Sequence, residues 1–418
     1  MLTKLKALPE QVKQYLIVTG NYWGFTLTDG ALRMLVVLHF HQLGYTPLAI
    51  AMLFLFYEIF GVVTNLVGGY LGARLGLNRT MNIGLGLQVV ALCMLLVPNS
   101  MLTLVWVMAA QGLSGIAKDL NKMSAKSSIK MLVNSDSAQE SSQKLYGWIA
   151  KLTGSKNALK GAGFFLGGAL LSLFGFKSAI AIMAAGLAII WIMSIVSLKK
   201  DLGKAKSKPK FSEIFSKSRS INILSAARLF LFAARDVWFV VALPLYLGSQ
   251  FGWDHYYVGG FLALWVIAYG FVQTQAPKLT SRADGHPPGG KEALFWVCAL
   301  AAIPGLIALA LMFNVSPELS LLIGLMIFGA VFALNSSLHS FLIVHYASDD
   351  GVSLDVGFYY MANAMGRLLG TVLSGYVYQV AGLEACLWIS SGMLAITALI
   401  SLYLPKNQSP LNEGDLHF

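Results

Sequence analysis

Seven lysines are the residues whose type and spacing could do chemistry in this chain. Lys118, Lys122, Lys126 and Lys130 recur every fourth residue. Lys151, Lys156 and Lys160 follow, in a segment that runs straight into the apolar stretch 164–176. Side chains four apart on a helix wind slowly around one side of it, so their ammonium groups would share a direction. A wall of such groups suits a multiply charged anion. Aspartates and arginines placed deep in other apolar stretches, Asp29 with Arg33 and Arg235 with Asp236, would complete a polar interior.

Helices in a bilayer are the elements that must position these groups. The 418 residues are 56% hydrophobic and only 12% charged, with a mean hydropathy of +0.67. That composition excludes an ordinary soluble domain. Twelve apolar spans of about membrane-crossing length are expected, at roughly 15–40, 47–71, 81–98, 101–132, 146–174, 178–198, 221–248, 255–278, 292–313, 317–346, 355–380 and 383–404. Residues 1–13 are polar and basic and lead into a long span, which does not read as a cleavable signal. A net charge of +11 would suggest nucleic acid in a soluble protein. Lysine-rich loops account for it here, and no nucleic-acid partner is expected. Lys4, Lys6, Lys13, Arg74, Arg79, Lys278, Arg282, Lys291 and Lys406 fall on the side of the basic stretch 199–220. By the positive-inside rule both termini are then cytoplasmic.

The stretch 199–220 also divides the chain, into six-helix bundles at 1–198 and 221–418. A weak repeat agrees: Leu43-Gly44-Tyr45 and Phe251-Gly252-Trp253 are 208 residues apart, and Asp29 and Asp236 hold nearly corresponding places. Parallel six-helix repeats describe the major facilitator fold, so the expected class is an all-α membrane protein with two pseudo-symmetric halves. Two glycine-rich stretches, 69–79 and 163–168, are degraded versions of facilitator signatures, with Ala73 and Phe164 at the departing positions. Close helix packing through small residues explains them equally well.

At about 1.5 Å of rise per residue, Asp29 and Asp236 lie about 21 Å from the cytoplasmic side. Lys118 and Lys160 share a level about 21–22 Å from the outer side, and Lys122 and Lys156 share the next, about 27–28 Å in. Each central cation facing lipid would cost about 2.5–3.5 kcal/mol, so these four must face protein or water. Lys126, Lys130 and Lys151 are expected in the cytoplasmic headgroup region, where long side chains snorkel, or in a vestibule. Arg33, Lys118, Lys122, Lys156, Lys160 and Arg235 are the candidate anion ligands. Asp29, Glu58, Asp119 and Asp236 are candidates for carrying a coupled proton, or counter-ions to these cations. Arg228 is expected nearer the cytoplasm, and Arg367 in the cytoplasmic half of its span, serving packing or a gate. Cys93, Cys298 and Cys386 read as small buried hydrophobes. His39, His41, His339 and His345 lack partners at metal-ligand spacing, and no nucleotide-binding glycine loop occurs. No enzyme, cofactor or metal is called for.

Four stretches carry a more specific likeness. Thr19-Gly20-Asn21-Tyr22-Trp23 through Thr28-Asp29-Gly30-Ala31-Leu32-Arg33, Gly115-Ile116-Ala117-Lys118-Asp119-Leu120-Asn121-Lys122-Met123-Ser124-Ala125-Lys126, Leu152-Thr153-Gly154-Ser155-Lys156-Asn157-Ala158-Leu159-Lys160 and Ala233-Ala234-Arg235-Asp236-Val237-Trp238-Phe239 resemble the ArsJ organoarsenical efflux permeases. The resemblance extends over essentially the whole chain. It implies a multi-pass protein of the bacterial cytoplasmic (inner) membrane that exports 1-arseno-3-phosphoglycerate and so confers arsenate resistance. It also implies a functional partner, the glyceraldehyde-3-phosphate dehydrogenase that makes this compound from arsenate. Proton antiport is the expected energy source, with exchange against another anion also open. Another phosphorylated or organic anion as substrate, or a non-transporting membrane sensor, are the alternatives.

Overall fold

The computed structural model describes residues 10–45, 53–132, 138–198, 218–253, 255–281, 287–348 and 352–405. All secondary structure among them is helical. In hydrocarbon every backbone N–H needs an internal partner, and a helix provides it within the segment. The spans are α1 (Glu10–Gln42), α2 (Leu55–Leu75), α3 (Leu77–Met94) and α4 (Leu104–Leu132). Ala138–Ser197 is α5 and α6, broken at Gly175. Then come α7 (Arg219–Phe239), α8 (His255–Thr280), α9 (Gly290–Met312) and α10 (Pro317–Tyr346). Val352–Ser401 is α11 and α12, broken at Gly382. Most of the linker 199–220 lies outside the described residues, as does the side chain of Lys130.

Gly175 and Gly382 turn their chains at φ 72° and 78°, a left-handed conformation that suits a residue without Cβ. They are 207 residues apart, and Gly44 and Gly252, also at positive φ, are 208 apart. The two halves therefore turn the same corners with the same residue type.

One span departs from the expected continuous helix. α7 stops at Phe239 and resumes as Ala242–Phe251. Pro244 explains this: a proline has no N–H to donate to the carbonyl four residues back, that of Val240. The amides of Val241 and Ala242 instead donate to Ser374 Oγ on α11, at 3.3 and 3.1 Å.

Five helical stretches among the described residues are long and apolar enough by themselves to cross a membrane: Leu55–Leu75, Leu173–Ser197, Gly290–Met312, Pro317–Tyr346 and Val352–Ser401. α1, α4, the first part of α5 and α7 carry most of the deep charges, which lowers their hydropathy. Cys386 is buried as expected, but Cys93 and Cys298 lie exposed on the outer surface.

The halves are joined at the end of the bundle that bears the termini. Two glycine crossings make the joint. A Cβ on Gly69 of α2 would lie 2.5 Å from Ser353 O and 3.2 Å from Gly357 Cα on α11, and one on Gly154 of α5 would lie 2.4 Å from Gly270 O on α8. Ser353 Oγ donates to Gly69 O at 2.9 Å, and the hydroxyls of Tyr146 and Thr280 meet at 2.6 Å. The crossings are counterparts, for Gly270 follows Gly69 by 201 residues and Gly357 follows Gly154 by 203.

Candidate functional site

Above the glycine crossings the facing helices turn polar. α1 contributes Asp29, whose Oδ1 accepts from Tyr57 OH at 2.8 Å. Its Oδ2 lies 3.7 Å from Lys160 Nζ on α5. The contact is close because α1 and α5 pack through glycine: a Cβ on Gly30 would stand 2.7 Å from Lys160 O, and one on Gly163 2.6 Å from Leu27 O. The stretch 163–168 thus serves helix packing.

The second half repeats this pair. Arg367 Nε on α11 lies 3.4 Å from Asp236 Oδ2 on α7. Asp29 to Asp236 and Lys160 to Arg367 are each 207 residues. Asp236 Oδ1 also takes Arg235, at 2.5 Å from Nη2. Arg367 therefore sits in the central cluster and reaches the first half as well, with Nη2 2.5 Å from Glu58 Oε1 on α2. That corrects its expected place as a packing or gate residue nearer the cytoplasm. The repeat offset was the signal: a cation 207 residues after Lys160 was there to be read.

Arg33 turns to Glu58, at 3.4 Å, rather than to Asp29, and its guanidinium faces the rings of Phe54 and Tyr57. On α4, Asp119 holds two lysines, Lys122 at 2.5 Å and Lys118 at 3.6 Å. Lys118 also lies over the Tyr57 ring, 3.8 Å from its centroid. Lys118 and Lys160 stand within electrostatic reach of one another, as do Lys122 and Lys156. Each of Lys118, Lys122 and Lys160 is nonetheless already held by a carboxylate.

Lys126 departs from expectation most. It is not in a headgroup layer but only 3% exposed, donating to Ser340 Oγ on α10 at 3.4 Å and to Tyr360 OH on α11. α4 continues as helix to Leu132 and abuts the second half, so protein rather than lipid headgroups encloses that lysine. Lys151 is exposed, as expected, with its ammonium 5.3 Å from the centre of the Trp148 ring. Arg228 is equally buried. Its Nε donates to Asn363 Oδ1 at 2.8 Å and its Nη1 to Ser336 O at 3.3 Å, and the guanidinium covers the Phe232 ring. Tyr57 and Tyr360, which no charge-based reading singled out, are the aromatic floor for these cations.

Nine cations, Arg33, Lys118, Lys122, Lys126, Lys156, Lys160, Arg228, Arg235 and Arg367, thus gather with four carboxylates, Asp29, Glu58, Asp119 and Asp236, among the described residues. With every group ionised the excess is five positive charges. Arg33 is 30% exposed, Arg367 25% and Lys160 19%, so water reaches the cluster.

A sequence model described as Major Facilitator Superfamily matches residues 15–350. No curated protein matches the chain in sequence. Solved structures with the same fold include the human organic anion transporter MFSD10 (TETRAN), at a TM-score of 0.70 and 16% identity over 94% of this chain and 100% of that one. A bacterial homologue of the iron transporter ferroportin in an outward-facing state aligns at a TM-score of 0.72 and 14% identity, over 94% and 99% of the two chains. The E. coli fucose:proton symporter FucP aligns at 0.72 and 12% identity, over 96% and 100%. With two six-helix halves, a charged seam between them and a family match over most of its length, the chain belongs to the major facilitator superfamily of multi-pass membrane transporters.

Proposed function

We propose that this transporter exports 1-arseno-3-phosphoglycerate across a bacterial cytoplasmic membrane, both termini facing the cytoplasm, and that it thereby confers resistance to arsenate. One observation carries the reading: nine cations from both halves gather with four carboxylates in one cluster, which water reaches at Arg33, Lys160 and Arg367. A compound with an arsenyl and a phosphoryl group one three-carbon unit apart supplies the missing negative charge at two points. Arginine suits bidentate contact with such groups and lysine acts as a point charge. The four stretches that resemble organoarsenical permeases contain seven of the nine cations, and Arg228 and Arg367 lie outside them. Proton antiport is the coupling that fits best. Each carboxylate is held by at least one cation; in antiport the proton and the substrate occupy the site in turn, so Asp29, Glu58, Asp119 or Asp236 would take up a proton after the substrate has left and release it before the next one binds.

Everted membrane vesicles test this. Given arsenate, glyceraldehyde-3-phosphate, NAD and glyceraldehyde-3-phosphate dehydrogenase, they should accumulate arsenic, and omission of any component should abolish uptake. Uptake of arsenate alone, or no uptake, overturns the substrate. A second reading, a plain phosphorylated three-carbon acid, rests on the same cluster, which would take a lone phosphoryl group. Uptake of labelled 3-phosphoglycerate without the dehydrogenase would favour it.

A further inference from the structure

The nine cations divide into two kinds. Arg33, Lys118, Lys122, Lys160, Arg235 and Arg367 each lie within 4 Å of a carboxylate oxygen. Lys126, Lys156 and Arg228 have no carboxylate partner among the described residues. Lys126 reaches two hydroxyls, and Arg228 an amide oxygen and a backbone carbonyl. Lys156, half-buried on α5, has neither hydrogen bond nor ion pair among those residues. The charges that act on it most strongly are those of Lys160, Lys126, Lys122 and Arg367, all cationic. Arg228 is in turn the charged group that acts on Lys126. Two of the three are 3% exposed. Uncompensated like charges are the most costly content a low-dielectric interior can hold. They come from opposite halves, Lys126 and Lys156 from the first and Arg228 from the second.

We infer that Lys126, Lys156 and Arg228, the cations of the cluster without a carboxylate partner among the described residues, form a subsite for one tetrahedral oxyanion group that is shared between the halves. The proposal rests on the reading of the protein as an organic-anion exporter and says where a phosphoryl or arsenyl end is gripped. The surroundings suit such a ligand. An ammonium only donates, so Ser340 Oγ and Tyr360 OH accept from Lys126, leaving their own protons to be donated elsewhere. An anion there neutralises cations of both halves at once, and so favours the state in which the glycine crossings are shut. Without it, the same cations repel across the seam.

The test measures binding of radiolabelled inorganic phosphate to the full-length protein in nanodiscs, with unlabelled 3-phosphoglycerate as competitor. Phosphate should bind and 3-phosphoglycerate should displace it. Displacement at lower concentration than unlabelled phosphate assigns the subsite to the end of an organic substrate, and the reverse assigns it to the free ion. Lys156→Gln and Lys126→Gln should each weaken binding roughly tenfold or more, as loss of one charge-assisted contact does. Lys156→Arg and Lys126→Arg should retain it. Lys118→Gln leaves Asp119 paired with Lys122 and should weaken binding less than Lys156→Gln. If Lys126→Gln does not yield a monodisperse protein, the half-exposed Lys156 decides the matter. Absence of phosphate binding in the unaltered protein, or equal losses in Lys118→Gln and Lys156→Gln, overturns the subsite. Phosphate binding that follows this pattern while vesicles fail to accumulate arsenic would leave the subsite standing and remove the substrate.

Discussion

At the scale of residues, the two Asp–cation pairs make unequal demands. Removing one member of a buried pair leaves the other uncompensated, at a cost of about 3–5 kcal/mol in well-sequestered cases. Asp29 is 7% exposed and holds one lysine; Asp236 is 1% exposed and holds two arginines. Asp236→Asn should therefore lower the melting temperature of the detergent-solubilised protein more than Asp29→Asn. Adding Lys160→Gln to Asp29→Asn should recover part of the loss, because no unmatched charge remains. A melting temperature that falls further in the double variant would contradict the pairing. These partners were only partly legible in the sequence. Depth arithmetic brought Lys118 and Lys160 to one level, but it ignores rotation about the helix axis, and rotation decides that each meets an aspartate. Arg33 lies one turn beyond Asp29 on the same helix, yet it reaches Glu58 on α2 because its side chain is long and Asp29 is already engaged by Tyr57 and Lys160.

At the scale of elements, the glycine crossings set how closely helices of opposite halves approach. Gly69→Ala places a Cβ 2.5 Å from Ser353 O, and Gly154→Ala one 2.4 Å from Gly270 O. Neither neighbour is the end of a flexible side chain, so the helices must separate. Spin labels on the terminus-bearing ends of α2 and α11 should report a longer distance in Gly69→Ala than in the parent, and labels on α5 and α8 likewise for Gly154→Ala. Gly260→Ala, with nothing within 4 Å of the added carbon, should change neither. The spans themselves could be read from hydropathy, because a run of apolar residues admits one solution in hydrocarbon. The break in α7 could have been read too: Pro244 is visible, and what hid its effect was the apolar continuity of 240–247. Lys126 was misplaced for a different reason. Its position near the end of α4 suggests a headgroup layer, and the sequence of one helix does not show that α10 and α11 cover it.

At the scale of the whole molecule, the described contacts between halves lie at the level of the charge cluster and below it, toward the termini. The cluster is expected to be approached from the opposite end. In a background without Cys93, Cys298 and Cys386, Arg33→Cys should react with a membrane-impermeant thiol reagent added to the side opposite the termini. Reagent on the terminus-bearing side should label it more slowly, and substrate should slow both. Preferential labelling from the terminus-bearing side would mean that the protein rests in the other state. The parallel repeat of the fold was visible in the offset of 208 between Gly44 and Gly252. The finer repeat at 207 became convincing only once Lys160 and Arg367 were seen against their aspartates.

The unlike chemistry of those two cations has a further consequence. A cavity with true twofold symmetry about the membrane normal would admit an elongated ligand in two poses of equal energy, with either end on either half. Here the axis relates a lysine to an arginine, a compact ammonium to a flat, two-pronged donor. The degeneracy is lifted, and a cargo with unlike ends acquires a head and a tail. Exchanging the two residues, Lys160→Arg with Arg367→Lys, would leave the charge unchanged while reversing which half each end of the cargo faces.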